Sequence, residues 1–301
     1  WVMVVMGMSS AQMNLSNHPL WISQLSWGTF FTFVGLTFVC SSTFILNQIS
    51  DVESDTINEK LFLVGQYFSP EKSHSIAKIV LISGLIISFI ANWIITILVG
   101  CIYLVWGIMY NQKPFNWKKK PILGWFANSI AGVLLFMIGW YLVMINQLNS
   151  KIIFLDVSML ISMLPYLLCF SSVALLTTVP DMKGDVELGD NTFPIVYGKI
   201  PTIILSFLLI CAAFVFSLYH EDPIASTATL VSIPFFVMTV IRRMDKDVLR
   251  AIRYPIFILN FFAFSVYPLL FIPLAIIYCL SKYYYWHRFE LHYPTFLVDY
   301  D

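Results

Sequence analysis

Five residues in this chain have the type and spacing to do chemistry together. Asn47, Asp51 and Asp55 fall at four-residue steps in NQISDVESD, and Asp181 and Asp185 repeat the step in VPDMKGD. On an α-helix a four-residue step turns about 400°, so each set stacks along one face as a strip of oxygen atoms. Asp181 follows Asp51 at the same separation at which Asp185 follows Asp55, which reads as two similar halves. Carboxylate and amide oxygens are hard donors. Two such strips facing each other suit a divalent metal, most simply Mg²⁺, and through it a phosphate-bearing substrate. The plainer reading is a pair of solvated loop acids. Recurrence of the strip at the ends of two apolar spans favours the functional one, because acids beside a bilayer core are costly and usually employed.

Those strips must be positioned by membrane helices. Of 301 residues, 59% are hydrophobic and 11% charged, with mean hydropathy +0.80. This excludes an ordinary soluble domain, and no nucleic-acid partner is expected. Apolar runs of spanning length are read near 1–13, 22–49, 73–94, 95–110, 122–146, 153–179, 201–219, 224–241 and 252–281, giving nine spans. The first is short and starts at Trp1 without an initiator Met, so the natural N-terminus is expected upstream. It lacks a basic leader and a small-residue cleavage site, and does not read as a signal peptide.

Basic residues segregate by loop. Lys60 and Lys72; Lys113, Lys118, Lys119 and Lys120; Lys183 and Lys199; and Arg242, Arg243, Lys246, Arg250 and Arg253 all fall in the even-numbered connections. By the positive-inside rule those loops, and both acidic strips, are cytoplasmic. The N-terminus is then cytoplasmic and the C-terminal tail outside, with Tyr283 to Trp286 anchoring the outer interface. The five cysteines are scattered singly through apolar spans, with no metal spacing, and read as buried small hydrophobes.

Three loops, 50–72, 111–121 and 181–200, form a cytoplasmic cap. The first mixes charge with Leu61, Phe62, Leu63, Tyr67 and Phe68, as in a lid or a segment resting on the interface. Ser69-Pro70 reads as the N-cap and first residue of the next helix. In the second, YNQKPFNWKKKP, positive-inside placement suffices for Lys119 and Lys120. Some of these lysines could instead neutralise a diphosphate held by the carboxylates, and charge alone does not choose.

With these residues in view, the chain resembles the UbiA superfamily of intramembrane prenyltransferases. Asn47, Asp51 and Asp55 match that family's first motif, NxxxDxxxD, and Asp181 and Asp185 its second, DxxxD. Tyr110, Pro114 and Lys118 fit the Tyr, Pro, Lys pattern of the loop after span four. Thr192, Pro194 and Gly198 match the stretch after the second motif. Thr178, Val186 and Asp190 depart from residues many relatives carry, and Lys60 stands near a common Arg. The resemblance implies an all-α polytopic membrane protein, with nine transmembrane helices in a ring around a central cavity. Two similar four-helix halves plus a final helix would form a single domain over 1–301. It further implies Mg²⁺-dependent prenyl transfer from an allylic polyprenyl diphosphate to a hydrophobic acceptor, an aromatic quinone precursor or a lipid. Asp51, Asp55, Asp181 and Asp185 would hold Mg²⁺, two ions in all, and carry catalysis. Asn47, Tyr110, Lys60, Lys113 and Lys118 would bind substrate, and the apolar tail would lie between helices beside membrane lipid. The abundant Phe, Tyr and Trp would face the allylic cation. Two other readings are a non-catalytic lipid-binding family member and a membrane transporter. The transporter is disfavoured because its acids belong near the bilayer midplane, whereas these sit at span ends.

Overall fold

The computed structural model describes residues 1–16, 26–57, 63–65, 67–148, 156–290 and 292. Among these the chain is almost entirely helical, with nine helices long and apolar enough to cross a membrane. Helix α1 spans Val2–Ser16, α2 Trp27–Ile57, α3 Pro70–Ala91 and α4 Trp93–Ile102, the last continuing as a π-helical stretch to Tyr110. A 3₁₀ turn, Trp117–Lys119, precedes α5 (Pro121–Leu148) and α6 (Val157–Leu176). Two short helices, α7 (Met182–Glu187) and α8 (Phe193–Tyr197), lead into α9 (Lys199–Tyr219), α10 (Pro223–Arg242), α11 (Asp245–Val266) and α12 (Phe271–Phe289).

Local chemistry sets most of these boundaries. Ser69 caps α3 by accepting the Lys72 N–H at 3.4 Å, with Pro70 in the first helical position, as its sequence signature predicts. Asn92 ends α3 and caps α4, its Oδ1 accepting the Ile94 N–H at 2.8 Å. Asp222 does the same for α10, accepting from Ile224 and Ala225 at 3.0 and 2.9 Å.

Sequential helices pack as neighbours from α2 to α6 and from α9 to α11, while α1 lies inside against α5, α6 and α11. Gly7 and Gly139 permit the α1–α5 contact. A Cβ on Gly139 would stand 1.9 Å from the Val4 carbonyl oxygen, and one on Gly7 2.1 Å from that of Phe136. Small residues at such crossings let backbones approach where no solvent drives association.

The count of nine spans holds with a different membership. Helix α1, described over Val2–Ser16 and packed inside against α5, α6 and α11, is not among the nine. The expected last span, 252–281, is two helices. Pro268 cannot supply an N–H to α11 and pushes Tyr267 out of helical conformation, to φ −126° and ψ 77°. Consequently α12 runs back across the bundle, and Phe289 packs on Tyr67 with ring centroids 4.5 Å apart. Tyr67 belongs to the loop after the first acidic strip, so the end of α12 lies at the acidic end of the bundle rather than the opposite one. Tyr283, Tyr284 and Trp286 follow it there. Cys279, expected to be buried, is exposed on α12.

Candidate active site

Helix α2 has 31 residues, about 46 Å at 1.5 Å per residue, against a hydrocarbon core of ~30 Å. Its last turns therefore project beyond the apolar zone and carry Asn47, Asp51 and Asp55 there on one face. The second strip has a different carrier. Helix α6 ends at Leu176, the chain turns through Thr177–Pro180, and Asp181 then starts α7, which holds Asp185.

The strips form opposing walls of a polar cavity of ≈ 390 Å³. Asn47, Asp51, Asp55, Tyr110, Lys118, Asp181 and Asp185 all line it, so seven of the nine residues singled out from sequence converge. Lys113 is exposed and off the lining, and Lys60 lies outside the described residues. The lining also holds Gln48 and Ser54, which the sequence reading missed, and Thr178, Lys119, Asp190 and Thr192, to which it assigned no site role. Lys119, for which positive-inside placement suffices in the sequence, lines the cavity and pairs with Asp190 at 2.6 Å.

Lysines enter because of the loop's backbone. Asn116 sits in the left-handed region, φ 42°, which Asn tolerates better than most residues. The following 3₁₀ turn rests on α5, where a Cβ at Gly124 would meet the Trp117 carbonyl at 3.1 Å. This aims Lys118 at Asp51, with which it forms a close ion pair, and at the Ser50 hydroxyl, 2.6 Å away. On the other wall the Thr192 hydroxyl donates to Asp185 Oδ2 at 2.8 Å, and Asp185 is 8% exposed. Gln48 Oε1 accepts from the Leu63 and Val64 N–H groups at 3.4 Å each, tying the first cap loop to α2.

Five carboxylates and two lysines share this lining. An excess of negative charge cannot receive a polyanion unless cations come with it. Among the described residues no three carboxylate, imidazole or thiol groups gather to cage one ion. The walls instead offer oxygen donors across a gap, the arrangement for a hard cation that keeps waters and shares its coordination with substrate phosphates. The donor set fits such an ion.

Beneath the polar cavity lies an apolar chamber of ≈ 680 Å³, lined among others by Leu36, Cys40, Trp106, Phe170 and Leu259. Phe44 lines both spaces. Asn128 Oδ1 accepts the Trp106 indole N–H at 3.0 Å and so fixes that ring in the chamber wall. A charged head and an apolar tail joined end to end would fill the two.

A family model for UbiA prenyltransferases matches residues 2–266. The chain belongs to the UbiA prenyltransferase family. It is 29% identical over 168 residues to 2-acyl-4-prenylphloroglucinol 6-prenyltransferase, chloroplastic, of Humulus lupulus, a match covering 53% of this chain and 39% of that protein. It is 22% identical over 224 residues to digeranylgeranylglyceryl phosphate synthase of Methanobrevibacter smithii, covering 69% and 75%. The apo structure of a UbiA homolog from Aeropyrum pernix K1 superposes with TM-score 0.63 at 15% identity, over 88% of this chain and 97% of that one. A UbiA homolog from Archaeoglobus fulgidus, bound to GPP and Mg²⁺, gives TM-score 0.61 at 15% identity, over 88% and 95%. The family match ends at residue 266, before the start of α12.

Proposed function

We propose that this chain transfers a prenyl group from an allylic polyprenyl diphosphate to a hydrophobic acceptor within the membrane. The observation that carries this is the acid-walled polar cavity set directly over the apolar chamber, with Phe44 common to both. The acceptor is read as an aromatic quinone precursor or a lipid. Names of the two relatives, one a phloroglucinol prenyltransferase and one a glyceryl phosphate synthase, support both classes.

In this reading Asp51 and Asp55 on one wall and Asp181 and Asp185 on the other would hold two Mg²⁺ ions, with the Asn47 amide oxygen assisting. Bound Mg²⁺ would supply charge neutralisation for the diphosphate and for its growing charge as it leaves. Lys118 and Lys119 lie at the same rim and exchange carboxylate partners for phosphate oxygens. Thr192 keeps Asp185 oriented. Tyr110 lines the polar cavity and would contact the donor's head there. The allylic C–O bond breaks with its electron pair passing to the diphosphate oxygen. The faces of Trp106 and Phe44 stabilise the allylic cation by cation–π attraction. An electron-rich carbon or hydroxyl oxygen of the acceptor then bonds to that carbon and loses its proton. Surrounding apolar walls keep water from taking the acceptor's place. The positive-inside pattern supports a cytoplasmic position for the cap.

Release of inorganic diphosphate is the test, with geranyl, farnesyl and geranylgeranyl diphosphates offered alongside aromatic and lipid acceptors. Release should need an acceptor, stop with EDTA, and be lost in Asp181→Ala while the protein stays folded in detergent. Release that EDTA leaves undiminished, or full activity in Asp181→Ala, would remove the metal-cradle mechanism.

A further inference from the structure

One face of α2 lines three spaces in succession. Asp55, Asp51, Asn47 and Phe44 line the polar cavity; Phe44, Cys40, Thr37 and Leu36 the apolar chamber. Val34, Phe33, Phe30 and Trp27 continue the same i, i+3/i+4 stripe along a third space. That third space is an apolar groove of ≈ 420 Å³ between the outer end of α2 and the start of α12, closed by Leu269, Ile272 and Ile276. Trp1 borders both the chamber and the groove. Its indole N–H donates to Thr37 Oγ1 at 2.8 Å, and its ring meets Phe33 edge-on with centroids 5.1 Å apart. An aromatic pair thus stands where one apolar space passes into the next.

Lengths decide what fits. From Phe44 to Leu36 the stripe runs about 12 Å, and from Phe44 to Trp27 about 26 Å, at 1.5 Å per residue. A fully extended chain advances about 1.2 Å per backbone bond, so a four-bond isoprene unit covers about 5 Å. The chamber alone accommodates about two units on this count; chamber and groove together accommodate about five.

We infer that the groove between α2 and α12 is a second prenyl subsite, taking the distal isoprene units of a donor of four or more units. This rests on the transfer reading above and narrows its substrate class to long chains. Continuity along α2 argues for that occupant, because the groove is an extension of the surface on which the nearer units lie. Helix α12, which forms one side of the groove, lies outside the residues that the UbiA family model matches. Phe33 marks the passage: on the length count a two-unit donor ends before it, and a four-unit donor reaches past it into the groove.

Photolabelling of the full chain in lipid nanodiscs tests the inference. Geranyl and geranylgeranyl diphosphates, each with a diazirine on its terminal unit, are the probes, and labelled peptides are mapped by mass spectrometry. The longer probe should label 27–34 or 269–276 at least tenfold more than the shorter one, and unlabelled geranylgeranyl diphosphate should suppress that signal. Val34→Trp, which fills the groove, should lower labelling by the long probe relative to the short one at least fivefold. Labelling of the chamber alone by both probes would overturn the subsite. So would groove labelling that unlabelled diphosphate does not suppress, the mark of a surface meeting any lipid, or an unchanged ratio in Val34→Trp. Labelling reads binding, so a protein that labels as expected yet releases no diphosphate counts against transfer and not against the groove. No labelling by either probe overturns both.

Discussion

Replacing Lys118 with Gln isolates the contribution of one ammonium to the proposed chemistry. The Lys118 side chain is 9% exposed and that of its partner Asp51 24%, so solvent screens the pair only in part. Unit charges 4 Å apart at an effective dielectric of 20 interact by about 4 kcal/mol. Screening at the open rim brings that towards the ~1.5–3 kcal/mol of a hydrogen bond to a charged group. The ammonium already pairs with Asp51 before substrate binds, so exchange for a phosphate oxygen changes little in the bound ground state. Its gain comes as charge builds on the departing diphosphate. At 1.36 kcal/mol per tenfold, Lys118→Gln should lower kcat/KM by about ten- to a hundredfold, mostly in kcat. Steady-state diphosphate release with varied donor measures this, and thermal unfolding in the same detergent separates a chemical loss from a folding one. Lys113→Gln is the control, an exposed lysine of the same loop that does not reach the cavity. If Lys118→Gln stays within twofold of the unaltered protein, or Lys113→Gln loses as much, the assignment of charge to Lys118 is wrong.

Two further predictions concern the scaffold. Gly139→Ala forces a Cβ to 1.9 Å from the Val4 carbonyl and should cost about 1–3 kcal/mol, read as a fall in unfolding temperature. Gly100→Ala, with nothing within 4 Å, should be neutral or stabilising by up to ~1 kcal/mol; equal losses at both sites would refute a close α1–α5 crossing. Burial raises the Asp222 carboxyl above its usual range. With the folded pKa above the unfolded one, its contribution to stability is full below about pH 3.8 and is lost as pH rises through the native value. Asp222→Asn should therefore help the protein more, or harm it less, at pH 7 than at pH 4. The same shift in unfolding temperature at both pH values would contradict this.

What the sequence made legible depended on how far each relation reached along the chain. Asn47, Asp51 and Asp55 could be read because α2 stays helical to Ile57, so four-residue steps remain steps on one face. Asp181 and Asp185 obey the same spacing on a separate short helix, so the strip was visible and its carrier was not. Lys119 and Asp190 are joined by an ion pair across 71 positions of chain, set by the left-handed turn at Asn116 and the rest of that loop on Gly124. No local pattern encodes that approach. Lys113 shows the converse, since residues of one basic run look alike in sequence and only the fold turns some inward. Helix α12 was hidden by hydropathy: an apolar run passes unbroken through Tyr267-Pro268, while the backbone cannot.

The two acidic strips look equivalent in sequence and differ in chemistry. Asp51 faces the Lys118 ammonium and the open rim; Asp185 is buried and receives the Thr192 hydroxyl. One wall therefore carries a cation that can change partners, and the other a carboxylate held in a fixed orientation by a neutral donor. In the proposed reaction a diphosphate entering between them would meet the Lys118 ammonium on one side and the Thr192-held Asp185 carboxylate on the other. Cations accompanying it would be held by the carboxylates of both walls, with Asp185 already oriented by Thr192. The Asp51 wall adjusts by releasing Lys118. The repeat in the sequence supplied two similar strips, and the loops that differ between the halves, 111–121 and 186–192, divided the work between them.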